Sequence, residues 1–496
     1  MRIVKNRILV ATTAFGLAAA LLSVALPADG TTKAVQAATV RAGAVDVDGQ
    51  PAPYGAEFPV TQEPNFARPV GKESTRGYGD FTQLDDLERL IRGSYIDQRT
   101  GALKPVSERY AASVFAVNSR MEDSVRVGRE LVKAAQAGVK VRFIHPRLDQ
   151  SPASKRLMKQ LNAKGLRDSH FKLCGKKRGW ACLSSQRAAL MHSKVILVSN
   201  TFTRADKPAL GAVWTGSANF GGRSAERTFN NGNIIYNDKK FYQQMLTYYA
   251  DLWTKRNVGN DYPRYIKKRS GSYGYPGAAA DGYLSDGARY GVFYSNLSHF
   301  SLWATPIPAS PSNGRDPILN MLNRIVPDST CRIRLQENRF KYRRIGVAYK
   351  LAELANEGCS ISAVAFKDDR PKNWNEHCFQ QLRICKPILD VFKTADTKIY
   401  TGMARPHDKT ILVEAKFRRN PLNPEEVAPA GQTWSTWPAS GIQMTMVQAG
   451  SAALTGSNLI QSDEVTTEST DPDVFEEYLE HWQALLGSRE YSPVSY

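Results

Sequence analysis

The sequence predicts an α/β protein made of two homologous α/β/α halves, each with a mostly parallel sheet, that share one site at their interface. Two observations predict this architecture. A short basic motif that opens an apolar run occurs twice, and each copy is preceded by the same order of strand, helix and strand. The chain of 496 residues is long enough for two such halves, because single domains commonly hold about 100–200 residues.

The repeated motif pairs a histidine with a lysine two residues later. The copies, with the apolar runs that they open, are His192-Ser193-Lys194 with residues 195–198, and His407-Asp408-Lys409 with residues 410–413. Residues i and i+2 of a strand share a face, so each histidine and its lysine should point into the same space. A turn rich in glycine, serine and asparagine follows each copy, at Thr215-Gly216-Ser217-Ala218-Asn219 and at Thr455-Gly456-Ser457-Asn458.

Each motif is preceded by a strand, a helix and a second strand. The helix pattern of the first half begins at Arg126 and ends at Gly138, and that of the second half begins at Arg344 and ends at Gly358. The flanking strands are predicted at residues 113–117 and 139–144, and at residues 332–335 and 359–366. Strand–helix–strand units join parallel strands, which is why both sheets are predicted to be mostly parallel.

The chain divides into five predicted segments. Residues 1–37 combine a charged start with an apolar run and indicate a secretory signal peptide, with a membrane anchor as the alternative. The remaining segments are an N-terminal arm (38–79), the first half (80–265), a linker or loop rich in Gly, Ser, Tyr and Pro (266–314), and the second half (315–496). The signal peptide predicts a secreted, extracellular protein.

Six cysteines, an even number in a chain predicted to be exported, favour disulfide bonds. We expect three bridges, Cys174–Cys182, Cys331–Cys359 and Cys378–Cys385. Cys331 and Cys359 each open a strand-like run, so neighbouring strands could bring them together. The absence of a tight Cys-x-x-Cys pair makes a zinc site less favoured.

The formal net charge of +19, with a pI near 9.6, indicates anionic partners. Nucleic acid, anionic lipid and cell-wall polymer all fit this charge. A solvated basic surface without a specific partner is the alternative. The charge gives no information about the fold.

The two motifs together suit phosphodiester chemistry. One imidazole can attack phosphorus while the other protonates the leaving group. Lysines can neutralise the charge on the phosphoryl oxygens, asparagines can donate amide hydrogens to them, and serines could orient these groups. The side chains in these three roles are Lys194 and Lys409, Asn219 and Asn458, and Ser217 and Ser457.

With these motifs, residues 80–265 and 315–496 resemble the phospholipase D superfamily. Its signature is His-x-Lys, an aspartate five residues beyond the lysine, and a Gly-Ser-x-Asn turn. The resemblance implies a covalent phosphohistidine intermediate and no metal or other cofactor, with His192 as nucleophile and His407 as acid and base. Asp463 and Glu464 resemble the family's downstream acidic segment that orients a histidine. We expect this segment to raise the pKa of His407 and favour its protonated form.

The sequence departs from the family pattern in three places. The signature aspartate is replaced by Ser199 in the first half and by Glu414, a supporting residue, in the second. The first half has Asn230-Asn231-Gly232-Asn233 where the second half has its acidic segment. The second turn is one residue shorter than Gly-Ser-x-Asn, which could misplace Asn458 by about an ångström, and such errors are costly in catalysis.

The resemblance implies a secreted phosphodiesterase that hydrolyses or transfers the head group of glycerophospholipids. It would act as a monomer, because both motifs lie in one chain. One alternative is a nuclease of the same fold. The other is a catalytically weak relative that binds anionic polymers or membranes. The expected partners are thus a phospholipid or another phosphodiester, with an anionic membrane surface or nucleic acid as further candidates.

Overall fold

The computed structural model contains two mixed β-sheets with helices packed against them, which confirms the predicted α/β fold with two halves. No helix within the described residues is long and apolar enough to cross a membrane. The structure describes residues 59–69, 79–121, 126–148, 150–175, 181–184, 189–254, 292–305, 316–366, 384–402, 405–422, 438–488 and 491–493.

The first half contains seven strands and six helices among the described residues. The strands are β1 (Thr61–Ala67), β2 (Ser113–Val117), β3 (Lys140–Pro146), β4 (His170–Cys174), β5 (Val195–Phe202), β6 (Pro208–Gly216) and β7 (Thr228–Tyr236). The helices are α1 (Thr82–Arg92), α2 (Val106–Ala111), α3 (Arg126–Gln136), α4 (Pro152–Leu161), α5 (Gly222–Arg227) and α6 (Lys239–Thr254).

The second half follows the same plan. Its strands are β8 (Val292–Tyr294), β9 (Phe300–Thr305), β10 (Ile325–Val326), β11 (Arg332–Glu337), β12 (Ser360–Phe366), β13 (Thr397–Gly402), β14 (Arg405–Pro406), β15 (Thr410–Phe417), β16 (Ile442–Gly450), β17 (Glu464–Ser469) and β18 (Tyr491–Pro493). Its α-helices are α7 (Pro317–Leu322), α8 (Ile345–Asn356), α9 (Lys386–Phe392), α10 (Gly456–Ile460) and α11 (Pro472–Leu486), and a 3₁₀ turn covers Tyr342–Arg344.

The two sheets repeat one strand order. The first runs β1-β7-β6-β5-β2-β3-β4 and the second β18-β13-β12-β11-β15-β16-β17-β9-β8. Strands β7 to β4 of the first sheet correspond one to one with β17 to β13 of the second. Outside this set, β1 pairs with β7 just as β9 pairs with β17. The duplication therefore includes one further strand in each sheet, β1 and β9, which lie in the segments described above as an arm and as a linker or loop.

Both sheets are mixed rather than mostly parallel, which corrects one part of the predicted fold. Strands β2, β3 and β4 are parallel, as are β11, β12 and β13. The motif strand β5 is antiparallel to β2 and β6, and β15 is antiparallel to β11 and β16. Only residues 203–207 separate β5 from β6, and so short a connection can join antiparallel strands but not parallel ones.

The two helices predicted before the motifs, α3 and α8, are confirmed within two residues at either end. Each is followed by a glycine in the left-handed backbone region, Gly138 with φ +94° and Gly358 with φ +113°. This conformation ends a helix at little cost only when the residue lacks a Cβ atom. A Cβ atom at Gly138 would also lie 2.3 Å from the ring of Tyr110.

Apolar side chains fill the space between the sheets and their helices. One cluster lies under α1, α3 and α4 on one face of the first sheet. A larger one joins the other face of that sheet and α6 to the second sheet. A third packs α11 on β12, β15 and β16 through Val474, Phe475, Tyr478 and Trp482. The sheets are thus buried on both faces, and the motif strands β5 and β15 lie inside them.

Two of the three expected disulfide bonds are confirmed. Cys174 is bonded to Cys182, and Cys331 to Cys359. Cys331 and Cys359 precede the parallel neighbours β11 and β12, where the strand starts bring them together. The proposed bridge between Cys378 and Cys385 includes a residue outside the described part of the chain.

We expect the Cys331–Cys359 bond to contribute more stability than the Cys174–Cys182 bond. The sequence separations are 28 and 8 residues, and chain-entropy arguments give about 3.5 and about 2.5 kcal/mol for loops of these sizes. Urea unfolding of the two Cys→Ala double variants measures both losses. Equal losses would show that strain or residual unfolded-state structure, rather than loop closure, decides the contributions.

Candidate active site

The two motif histidines are each fixed by the backbone of the opposite half. The backbone N–H of His192 donates to the carbonyl of Asp463 at 2.9 Å, and Asp463 donates to Leu190 at 2.8 Å. In the same way the N–H of His407 donates to the carbonyl of Phe229 at 3.0 Å, where β14 pairs with β7. The two contacts are related by the duplication. The structure therefore brings both motifs to the boundary between the halves.

The imidazole of His192 has a carboxylate partner. Its Nδ1 lies 2.9 Å from Oε2 of Glu464 and 3.2 Å from the carbonyl oxygen of Ser451. Both neighbours accept hydrogen bonds, so Nδ1 must carry the proton. In the neutral imidazole, Nε2 then keeps its lone pair.

The imidazole of His407 has an amide partner. Its Nδ1 lies 2.9 Å from Oδ1 of Asn230. The NH₂ group of Asn230 donates to the carbonyls of Ser224 and Thr228 at 2.9 and 2.8 Å, which fixes the orientation of the amide. The amide oxygen therefore faces His407, and Nδ1 of this histidine also carries a proton.

The expected partner of His407 is thereby corrected. The acidic segment of the second half serves His192, across the boundary, and not the histidine of its own half. Asn230 and Glu464 occupy equivalent positions, since each follows the residue whose carbonyl binds the other half's motif histidine. Sequence comparison placed the two segments correctly but paired them within each half, whereas the fold pairs them crosswise.

The basic side chains of the two motifs act on one another electrostatically across the boundary between the halves. Burial lowers the pKa of His407 well below its usual value, and the charges of Lys409, Lys194, His192 and Arg339 lower it further. Burial also lowers the pKa of His192, but Glu464 opposes this shift. The carboxylate therefore makes His192 the more easily protonated of two similar imidazoles.

The two motif lysines have matching contacts. Each Nζ donates to the carbonyl of the histidine two residues before it, Lys194 to His192 and Lys409 to His407. An ammonium group has three hydrogens, so two remain for an anion. Burial lowers the pKa of Lys194 to about 7 and that of Lys409 well below its usual value. Lys409 has a φ of +50°, a strained conformation for a residue with a Cβ atom.

Strand register identifies the true equivalent of the first turn. Val195 pairs with Thr215, and Thr410, its counterpart, pairs with Ala449. Gly216-Ser217 therefore corresponds to Gly450-Ser451. The serine hydroxyls confirm this, because each accepts a hydrogen bond at 3.0 Å from the backbone N–H found 14 residues later. Ser217 also donates to Asn230 at 3.1 Å and so supports the partner of His407.

The predicted second turn is out of register with the first. By the corrected alignment, Ala453 occupies the position of Asn219. Thr455 instead caps α10, because its hydroxyl accepts from the N–H of Asn458 at 3.2 Å and donates to that side chain at 2.8 Å. Ser457 lies in the same helical turn, 3.2 Å from the Thr455 hydroxyl. The Thr-Gly-Ser-Asn sequence here is a helix start.

Asp463 fixes the acidic segment to the first half. Its carboxylate accepts hydrogen bonds from the backbone N–H groups of Cys182 and Leu183. Cys182 belongs to the first disulfide bond. Asp463 thus holds the backbone that carries Glu464, and acts on His192 through its neighbour.

The replacements of the signature aspartate lie away from the motif histidines. Ser199 accepts a hydrogen bond from the backbone of Ser113 at 2.8 Å. Glu414 lies 3.9 Å from Arg332, its cross-strand neighbour, and 3.8 Å from Arg334. Both residues therefore join the motif strand to the next strand of the sheet.

Asp408 is a site residue that sequence reasoning missed. Its carboxylate is buried, accepts a hydrogen bond from Gln336, and lies 2.8 Å from Nε2 of His481. Nδ1 of His481 in turn accepts from Arg68 at 3.2 Å. This chain of contacts holds the loop between the second histidine and its lysine. A single aspartate between His and Lys gave no sequence signal for it.

No group of three or more His, Cys, Asp or Glu side chains in the described ranges is arranged to bind a metal ion.

Comparison with known proteins identifies the first half. Residues 110–253 match the family model described as "Cardiolipin synthase, PLD-like domain". A search of curated protein sequences gave no match. The matched range holds the first motif, the first turn and the crosswise partner Asn230. The match to a phospholipase D-like domain therefore covers residues 110–253, and the second half repeats the motif of that domain in the same setting.

Three solved structures show distant similarity. Polyphosphate kinase from Porphyromonas gingivalis is 13% identical with a TM-score of 0.47, over 88% of this chain and 48% of the kinase. Phosphatidylserine synthase from Haemophilus influenzae is 9% identical with a TM-score of 0.47, and the match covers 91% of this chain and 88% of the synthase. The phospholipase D family member Nuc from Salmonella typhimurium is 17% identical with a TM-score of 0.27, and the match covers 40% of this chain and 99% of Nuc. The chain spans about half of the kinase, and these scores assign no substrate.

Proposed function

We propose that this protein is a phosphodiesterase of phospholipase D type that works through a covalent phosphohistidine. The observation that supports this proposal most is the crosswise pairing of two half-buried imidazoles, each with Nδ1 occupied and each in a motif with a lysine. In this arrangement both Nε2 atoms remain for chemistry. One phosphorus atom between them can be attacked from one side while its leaving oxygen receives a proton on the other.

His192 is the proposed nucleophile. Its Nε2 forms a bond to phosphorus, which leaves positive charge on the imidazole. Glu464, 2.9 Å from Nδ1, stabilises that charge and holds the reactive tautomer. The sequence predicted no carboxylate partner for His192, whereas in the structure Glu464 is that partner.

His407 is the proposed acid and base. As the bond from phosphorus to the leaving oxygen breaks, His407 gives that oxygen the proton on Nε2. Water then attacks phosphorus, returns a proton to His407 and breaks the bond to His192. If another alcohol replaces water, the same steps transfer the phosphoryl group. The bound phosphodiester is negatively charged and offsets the charges of Lys409 and Lys194, which lower the pKa of His407, so that His407 can hold the proton that it donates.

We expect anion affinity to fall as the pH rises through about 7. The pKa of Lys194 is lowered to about 7 in the free protein, so its charge is present below that pH and lost above it. Each pH unit above this value should weaken sulfate binding up to about tenfold. Calorimetric titration with sulfate at pH 6–9 measures this dependence. The variant Lys194→Arg should retain affinity at high pH, and a flat profile in the parent protein would contradict the expectation.

For the substrate we propose a glycerophospholipid, whose head group is released or transferred. The predicted export signal supports a substrate outside the cell, and the basic chain suits an anionic lipid surface. Nucleic acid is the second candidate, because the net charge of +19 would also favour a polyanion.

Two assays on one preparation test these proposals. Choline release from phosphatidylcholine vesicles is measured with EDTA present, and cleavage of labelled single-stranded DNA is measured in parallel. Release that survives chelation and is lost in His192→Ala supports the phospholipase. DNA cleavage without choline release favours the nuclease. Salt-sensitive binding that survives His192→Ala without any turnover would mean a protein that only binds anions.

A further inference from the structure

The second half lacks an asparagine at the turn position that Asn219 occupies in the first. Ala453 stands there instead. In the first half, Oδ1 of Asn219 accepts a hydrogen bond from the hydroxyl of Ser119 at 2.8 Å. This bond orients the amide, so that its NH₂ group can donate to a phosphoryl oxygen. An alanine can do neither.

The residue equivalent to Ser119 in the second half is Asn338. Val117 pairs with Val195, and Gln336 pairs with Thr410, where Val195 and Thr410 each follow a motif lysine. The next residues, Asn118 and Glu337, are equivalent as well, because their side chains accept matching hydrogen bonds. Asn118 accepts from the backbone N–H of Phe220 at 3.4 Å, and Glu337 accepts from the backbone N–H of Leu454 at 3.3 Å.

Two equivalent positions therefore differ between the halves. The first half has Ser119 and Asn219 at these positions, and the second half has Asn338 and Ala453. An alanine leaves room beside it, and an asparagine side chain is longer than a serine side chain by one amide group. The amide group is therefore present in both halves, on the turn in one and on the strand end in the other.

The strand register puts Asn338 just beyond the end of β11, beside the second motif, and the charges of its two neighbours act on that motif. Arg339 is among the charges that, after burial, lower the pKa of His407. Glu337 is buried, and its charge acts on Lys409 in the direction that raises the lysine pKa. Asn338 lies between these two residues. Its Oδ1 is buried and has no hydrogen-bond partner within the part of the chain that the structure describes.

We propose that Asn338 supplies the amide that binds a phosphoryl oxygen on the second half's side of the pocket, in place of the missing turn asparagine. An amide whose oxygen has no partner can turn about its Cβ–Cγ bond and present its NH₂ group to the anion. This inference rests on the proposed function, because it assigns a further contact to the same phosphodiester.

Asn458 is the competing amide. It lies in the first turn of α10, and its Oδ1 and backbone N–H both bond to Thr455. These contacts serve the helix start. They give Asn458 a structural role that does not require an anion.

The test compares single variants in steady-state turnover of bis(4-nitrophenyl) phosphate and in calorimetric binding of sulfate. Loss of one oxyanion donor typically lowers kcat about 10²–10³-fold. We expect Asn338→Ala and Asn219→Ala to show losses of this size and at least tenfold weaker sulfate binding. The exposed Asn356→Ala is the matched control. A loss in Asn458→Ala that exceeds the loss in Asn338→Ala would overturn the proposal.

A swap separates a binding role from a structural one. Asn338→Ser combined with Ala453→Asn rebuilds the pair of the first half, and should recover at least tenfold in kcat over Asn338→Ser alone. The proposal would be overturned if kcat does not recover in the double variant and Asn338→Ala binds sulfate as tightly as the parent protein. If the parent protein binds sulfate but turns over no phosphodiester, the proposed function fails and the sulfate affinities alone decide the role of Asn338. A parent that binds no sulfate would overturn both.

Discussion

Replacing His192 by alanine should lower phosphodiester turnover by about 10⁴-fold or more, because the variant has no group to form the covalent intermediate. Replacing His407 should give a comparable loss with an alkoxide leaving group. The two variants should differ with bis(4-nitrophenyl) phosphate, since 4-nitrophenolate leaves with little need for a proton. His407→Ala should then form the phosphohistidine and fail to hydrolyse it.

Mass spectrometry after a rapid alkaline quench measures this difference directly. An aryl phosphoryl group should be found on His192 in His407→Ala and on no residue in His192→Ala. The exposed His170→Ala serves as the histidine control and should behave as the parent protein. An adduct on His407 in the His192→Ala variant would reverse the two roles.

Glu464→Gln should lower kcat roughly 10³-fold, because a carboxylate that orients a catalytic imidazole can be worth up to about 10⁴-fold. Glutamine keeps the shape of the side chain and removes its charge. The charge matters most when phosphorus is bonded to His192, so accumulation of the intermediate should fall as well. Glu353→Gln, an exposed change in α8, is the matched control. A loss under tenfold would show that the negative charge of Glu464 contributes little to turnover.

The converse change gives an independent measurement. Asn230→Asp places a carboxylate beside Nδ1 of His407, at the position equivalent to Glu464. A negative neighbour raises the pKa of an imidazole. The pH above which kcat falls should therefore move upward in this variant. An unchanged pH profile would mean that protonation of His407 does not limit turnover.

The sequence predicted the elements whose signals are local. The helices α3 and α8, the motif strands, and two disulfide bonds follow from periodicity, glycine positions and cysteine spacing. Strand direction was missed, because the strand–helix–strand rule covers only the three strands joined by helices. The reversal at β5 depends on a hairpin and on long-range pairing.

The site was predicted in its residues more than in its connections. The resemblance between Thr455-Gly456-Ser457-Asn458 and the first turn was misleading, because a helix start and a phosphate-binding turn use the same small polar residues. The turn that is equivalent by strand register begins with Gly450-Ser451. It has Ala453 where the first turn has Asn219, so it does not match the family's Gly-Ser-x-Asn pattern. The crosswise pairing of Glu464 with His192 could not be read from one chain, since spacing along the chain does not say which half a side chain faces.

The equivalence of Asn230 and Glu464 bears on how such a molecule can diverge after duplication. In an assembly of two identical subunits, one residue would fill this position on both sides, and both imidazoles would meet the same neighbour. A single polypeptide with two copies of the gene segment escapes that constraint. Each copy can then change independently, so that one histidine gains a charged neighbour and the other a neutral one. The proposed reaction is asymmetric, because one imidazole bonds to phosphorus and the other transfers a proton. A single gene that encodes both halves can therefore give each histidine the neighbour that suits its role.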